Sequence, residues 1–165
     1  SLTPLALAQR HHDPLTDAEI DQLREAAQLP EQRLKLYVTF ARERLDGVEK
    51  VQHDPKVTNH GDATHDQLQR FVDVYDELND NVDTFAERRD DIRKVLQVII
   101  NADTEFQSKL RALQSSATAR SAEAGTYEFL LSNAVDAVDQ GAKDHKQTLQ
   151  EQEEEAKHKK LIKPK

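Results

Sequence analysis

Residues 68–113 carry an apolar side chain at every third or fourth position, and only Arg89 and Asp103 interrupt the series. This spacing places one apolar stripe along one face of an α-helix. Such a stripe is stable only when it is buried against other helices, so it predicts a helical bundle. The members of the stripe are Leu68, Phe71, Tyr75, Leu78, Val82, Phe85, Ile92, Leu96, Ile99, Phe106, Leu110 and Leu113.

The central stripe fits either one long helix or two shorter ones. A single helix would run over residues 63–117, where no glycine or proline interrupts the chain. A break near residues 88–91 would instead leave helices 63–87 and 91–117, whose matched lengths suit a four-helix bundle. The unbroken phase of the stripe favours the single helix, which we predict. Residues 95–100 are apolar nearly all round, so we expect them to be the most enclosed segment.

Three further helices are predicted from capping signals and apolar spacing. Thr16 and Glu19 form a capping box, which predicts a short helix over residues 17–28. A proline then begins a second helix over residues 30–52, because proline suits the first turn of a helix. A last helix is predicted over residues 123–149.

The composition agrees with narrow apolar seams between helices that have broad solvated faces. Apolar residues make up 36% of the chain and charged residues 33%, and there are only four glycines and five prolines for turns. We therefore predict an all-α fold, an elongated antiparallel bundle of three or four main helices with a short N-terminal helix. The expected division is an N-terminal arm (1–15), one bundle domain (16–155) and a basic disordered tail (156–165).

The N-terminal arm has the pattern of the end of a secretory signal. Leu2, Leu5 and Leu7 would close an apolar region, and Ala6, Leu7 and Ala8 have the small-x-small form that signal peptidase cleaves. The alternative is an ordinary apolar arm or a disordered one. We expect export to the periplasm or the exterior, and the sequence contains no apolar run long enough to span a membrane.

The charges of the chain are unevenly distributed. The net charge is −8, and residues 156–165 hold five lysines and no acid, so removing those lysines leaves −13 for residues 1–155. An acidic body of this kind is not expected to bind nucleic acid. We interpret the basic tail as a solubilising segment that also complements the dipole of the preceding helix.

Histidines and carboxylates cluster in and beside the predicted loop over residues 53–62. His53, His60 and His65 occur there, and imidazole and carboxylate side chains on a loop can collect a divalent metal. The weak candidate ligands are His60, Asp62 and His65. The spacing matches no established metal motif, and the same residue types are ordinary in turns and helix caps.

Other candidate chemistry is sparse. The chain has no cysteine, which excludes disulfides, thiol catalysis and Cys-bound metals. It has no phosphate-binding glycine loop and no nucleophile or zinc-protease motif. His145 lies on the apolar seam of the last helix, where we expect a partly buried, hydrogen-bonded histidine. The sequence therefore predicts no cofactor and a non-enzymatic interaction or structural protein that associates with itself or with a partner through helix faces. A metal- or ligand-binding bundle that uses the histidine loop is the alternative.

Overall fold

The computed structural model describes residues 13–117 and 121–162, and within them every regular element is an α-helix, as predicted. The N-terminal signal-like segment up to residue 12 and the last three lysine-tail positions lie outside the described residues. The six helices are α1 (Asp17–Glu25), α2 (Pro30–His53), α3 (His60–Glu87), α4 (Arg93–Ala117), α5 (Ser121–Ala124) and α6 (Glu128–Ile162).

The four long helices, α2, α3, α4 and α6, form a bundle in which each packs against two others. α2 and α6 both contact α3 and α4, so α2 lies diagonally opposite α6 and α3 opposite α4. Consecutive helices α2 and α3 are antiparallel, as are α4 and α6. The other two sides of the bundle pair parallel helices. On the side between α2 and α4, two side chains of α2 that are one turn apart contact two side chains of α4 that are also one turn apart. These contacts are Arg42 with Glu105 and Asp46 with Lys109.

The first helix begins at the capping box that the sequence predicted. The Thr16 hydroxyl accepts a hydrogen bond from the Glu19 backbone N–H, and the Glu19 carboxylate accepts one from the Thr16 N–H. The same carboxylate is 2.6 Å from the guanidinium of Arg44 on α2. This ion pair ties α1 to the bundle, and α1 ends at Glu25, three residues earlier than expected.

The prediction of one continuous helix over residues 63–117 is wrong, because the chain reverses between α3 and α4. Arg89 adopts φ 63, in the left-handed region. The Arg89 N–H donates to the carbonyl of Ala86, and the Asp90 N–H donates to the carbonyl of Phe85. This pair of bonds is the Schellman motif, which ends a helix by satisfying its last carbonyls. The stripe keeps its phase across the turn because Ile92 re-enters the core at 1% exposure.

The start of α4 is stabilised by two side chains that satisfy its first free N–H groups. The Asp91 carboxylate accepts from the backbone N–H of Arg93 at 3.2 Å. The amide of Gln152 on α6 accepts from the Ile92 N–H and donates to the carbonyl of Asp90. The turn between α3 and α4 is therefore held both by its own sequence and by α6.

Two further expectations are wrong, one about exposure and one about disorder. Residues 95–100 are not enclosed all round, because Val98 is 37% exposed on the outer face of α4, while Leu96 and Ile99 are fully buried. The tail expected to be disordered from residue 156 is helical up to Ile162, where the 35-residue helix α6 ends. The division of the chain into domains stays a prediction.

Candidate functional site

A polar network of three residues lies within the largely apolar core, one on each of three helices. The Tyr75 hydroxyl on α3 donates to Asp103 Oδ1 on α4 at 2.8 Å. His145 Nδ1 on α6 lies 2.7 Å from Asp103 Oδ2, and because a carboxylate oxygen accepts, Nδ1 is the donor. We call these three residues the buried triad.

The buried triad is shut off from solvent. The exposed fractions of Tyr75, Asp103 and His145 are 0%, 1% and 2%. Burial, and then the adjacent Asp103 carboxylate, raise the pKa of the Tyr75 phenol far above its usual range. The phenol is therefore protonated at any ordinary pH and stays a hydrogen-bond donor.

The shape of the triad depends on a glycine of α6. A Cβ atom at position 141 would overlap the Tyr75 hydroxyl oxygen and would lie 2.9 Å from the Tyr75 ring. Only a residue without a side chain lets the Tyr75 ring pass α6 and reach Asp103 on the diagonal helix. The Tyr75 ring also stacks on the ring of Phe71, with centroids 5.8 Å apart, and packs edge-to-face with the ring of Phe106, with centroids 6.3 Å apart.

The triad has the residue types of an acid–base site but lacks the access that catalysis needs. A histidine oriented by an aspartate is a common general base. Here a substrate would have to open the core to reach the imidazole. The arrangement instead fixes the relative heights of α3, α4 and α6, because the hydrogen bonds form in only one register.

The sequence indicates each member of the triad singly but not their contact. Asp103 interrupts the central stripe, Tyr75 belongs to it, and His145 is expected to be partly buried and hydrogen-bonded. The structure confirms the hydrogen bond of His145 and shows Asp103 as its partner, but the imidazole is fully buried. The available signal was that a carboxylate on one apolar seam and an imidazole on another would each need a partner inside the core.

The candidate metal ligands do not come together. His60 Nε2 bonds the carbonyl of Asp54 at 2.9 Å, Asp62 bonds Asn59 at the start of α3, and His65 lies beside Asp66. Among the residues that the structure describes, no group of three or more His, Cys, Asp or Glu is placed to hold a metal ion. The metal-binding alternative therefore gains no support and stays a prediction.

The surface offers one distinctive feature, the C-terminal end of α6. Gln152 is the last residue of α6 that hydrogen-bonds another element, the turn between α3 and α4. After it, residues 153–162 are all exposed except Ala156, which is half-buried. We call residues 153–162 the α6 arm. Its tip carries Leu161 and Ile162 at 83% and 65% exposure.

A shallow apolar groove lies between α2 and α4. It has a volume of about 210 Å³ and is lined by Leu45, Val48, Leu110 and Leu113, with Lys109 and Glu49 at its edge. The apolar side chains of the groove are already more than nine-tenths buried. The groove therefore exposes little apolar surface of its own.

Comparison of the chain with protein-family models, with curated proteins and with solved structures finds no match. No helix of the described residues combines the length and the apolar character that crossing a membrane requires.

Proposed function

We propose that this chain is a non-enzymatic, exported interaction or structural module, in which the bundle is a rigid support and the α6 arm is the working surface. The observation that carries the proposal is the length of α6. It has 35 residues, against 28 in α3, 25 in α4 and 24 in α2. After Gln152 it continues past the start of α4, where Glu155, Ala156 and Lys159 still line a depression beside the turn between α3 and α4, and its last residues lie beyond that turn.

An uncovered helix end gains no stability from packing unless something outside the bundle contacts it. A helix of about ten residues is marginal by itself in water, and large aliphatic side chains gain about 1.5–3 kcal/mol each when they are buried. Leu161 and Ile162 forgo this gain in the isolated chain. A partner that covers the tip recovers it and orders the arm.

The buried triad agrees with the role of the bundle as a rigid support for the arm. Its hydrogen bonds lock three helices in one register, and its side chains are closed to substrates. A fixed register keeps α6 at a constant height, so the arm projects by a constant length beyond the turn between α3 and α4.

Export is a separate part of the proposal and rests on the signal-like pattern around Ala6-Leu7-Ala8. It predicts that the product of the full-length gene is found outside the cytoplasm of its own host, with a new N-terminus at Gln9. Cell fractionation and N-terminal sequencing test this. A cytoplasmic product that retains residues 1–8 would contradict it.

Photo-cross-linking in the native host tests the α6 arm as the working surface. A photoreactive amino acid replaces Leu161 in one variant and the exposed Ser132, on the bundle part of α6, in the matched control. We expect adducts from position 161 that position 132 does not give. Equal yields at the two positions would overturn the proposal, whatever the chemical nature of the adducts.

A further inference from the structure

The lysines of the α6 arm form no close ion pair, although the charge of Lys159 helps to lower the pKa of Asp91 on the turn before α4. Lys157, Lys159 and Lys160 form no ion pair with any residue that the structure describes, and Lys163 and Lys165 follow in the sequence. The arm begins with Glu153, Glu154 and Glu155, and the sequence contains no acid after them. Positive charge is thus concentrated in the sequence after Glu155, whereas the rest of the chain is strongly acidic.

The length of the arm places its tip away from the acidic body. Ile162 lies ten residues beyond Gln152, which is about 15 Å at 1.5 Å per residue. Screening at physiological salt acts over about 8 Å. The tip therefore presents a local positive charge although the whole chain is negative.

The tip combines charge with two large aliphatic side chains. Leu161 and Ile162 follow directly on Lys159 and Lys160 and are the most exposed aliphatic pair in the described chain. A nucleic acid would use the lysines and leave the aliphatic pair in water. The body of a second copy would do the same, because its other exposed large apolar residues lie singly, with Leu29 before α2, Val98 on α4 and Phe129 on α6.

An anionic lipid surface uses both features. Lysines lie at the level of the headgroups, and aliphatic side chains enter the boundary below them. Clustered lysines beside apolar residues are attracted to anionic lipids, by about fivefold in affinity for each lysine at the surface. The burial of apolar side chains and the electrostatic attraction to anionic lipids add in this kind of binding.

We propose that the α6 arm attaches this protein to anionic membranes, with its lysines on the headgroups and Leu161 and Ile162 inserted below them. This inference rests on the proposed function, since it names the chemistry of the surface that the arm contacts. The C-terminal end of α6 would then hold the bundle at the membrane surface.

Flotation of the full chain with vesicles tests the inference. The vesicles are phosphatidylcholine alone, or phosphatidylcholine with about one third phosphatidylglycerol, each at low and at high salt. We expect flotation with the anionic vesicles at low salt, a large loss at high salt, and little flotation with phosphatidylcholine alone. Equal flotation with both kinds of vesicle, or none with either, would overturn the inference.

Matched variants assign the attachment to the arm. The triple change Lys157→Gln, Lys159→Gln and Lys160→Gln should weaken binding to anionic vesicles more than tenfold, and Leu161→Ser with Ile162→Ser should also weaken it. The control changes Lys50, Lys143 and Lys146 to Gln, which are three exposed lysines on the bundle, and should bind like the wild type. An equal loss in the control would show that net charge alone acts, and would overturn the inference.

The photo-cross-linking experiment separates this inference from the proposed function. Lipid adducts at position 161 support both. Protein adducts in place of lipid leave the arm as an interaction surface but overturn attachment to a membrane. Arm-dependent self-association of the chain without vesicles, together with no flotation, would have the same consequence.

Discussion

At the scale of single residues, Asp103 shows how a carboxylate can occupy an apolar seam. It is 1% exposed, and each of its oxygens accepts one hydrogen bond, from Tyr75 and from His145. Removing one member of such a network costs more than removing all of it, because the remaining polar groups lose their partners inside the core. This asymmetry gives a test of the buried triad.

Replacing Asp103 by leucine should lower the free energy of unfolding by about 3 kcal/mol, because the hydroxyl of Tyr75 and the imidazole of His145 lose their acceptor. Adding Tyr75→Phe and His145→Leu removes both stranded donors and should recover much of that loss. Urea unfolding followed by far-ultraviolet circular dichroism measures both. A single variant as stable as the wild type would show that the network does not form in solution.

Gly141 and Gly47 form a matched pair of helical glycines. Alanine has the higher helix propensity by about 1 kcal/mol, but at position 141 its Cβ would collide with the Tyr75 ring. At position 47 the atom nearest to an added Cβ is at the flexible end of the Gln67 side chain, 2.7 Å from that Cβ. We expect Gly141→Ala to be destabilising by more than about 2 kcal/mol and Gly47→Ala to be neutral or slightly stabilising. Thermal unfolding compares them, and equal effects would contradict the packing of Tyr75 on α6.

The residues of the triad could be read from the sequence singly but not as a set. Each lies on an apolar stripe, which the spacing predicts. Their meeting depends on the bundle placing α3 diagonally opposite α4, with α6 between them. That arrangement follows from how four similar stripes pack, and a stripe carries no information about which neighbour it faces.

At the scale of elements, the break between α3 and α4 is where sequence reasoning failed. Glycine is the usual residue in the left-handed position that ends a helix, and the chain has Arg89 there. The stripe also keeps its phase through the turn. Neither a glycine or proline nor a change in the phase of the stripe therefore marks the reversal in the sequence. What holds the turn is the pair of capping side chains, Asp91 and Gln152, and the second of these comes from a distant part of the chain.

Arg89→Gly should therefore stabilise the protein by about 1 kcal/mol, because glycine adopts a positive φ without the steric cost of a Cβ atom. Arg89→Ala retains the Cβ atom and is the control, with no comparable gain expected. Chemical denaturation measures both. A loss of stability in the glycine variant that the alanine variant shares would mean that the arginine side chain, and not its backbone, holds the turn.

Asp91 gives the turn a dependence on pH. A side-chain hydrogen bond from Arg93, helped by the backbone N–H of the same residue, lowers the pKa of Asp91 from 3.8 to about 2. A lowered pKa in the folded state stabilises the protein above about pH 4, and this stabilisation is lost as the pH falls through about 2. Because the Asp91 side chain is 63% exposed, solvent screening keeps the contribution below about 1 kcal/mol.

Asp91→Asn should retain the cap and lose the charge. We expect its stability to fall below that of the wild type at pH 7, and the two proteins to converge as the pH falls below about 4. Urea unfolding at a series of pH values follows the difference. A difference that is constant with pH would assign the effect to the cap itself.

At the scale of the whole molecule, the sequence indicated an elongated all-α bundle with an acidic body and a basic end. The structure confirms the fold class and changes the meaning of the basic end. A tail that is helical up to Ile162 holds its lysines and its aliphatic tip on one rod, whereas a disordered tail would not. The sequence could not show this, because residues 150–160 are nearly all charged or amide-bearing and carry no stripe.

Hydrogen exchange of the full chain, followed by mass spectrometry, tests the central claim that the α6 arm is an uncovered helix that docks on an anionic membrane. We expect the amides of residues 153–162 to exchange much faster in solution than those of residues 131–149, and to slow when vesicles containing phosphatidylglycerol are added. Phosphatidylcholine vesicles should leave them unchanged. Arm amides as protected in solution as those of residues 131–149, or unaffected by the anionic vesicles, would contradict the claim.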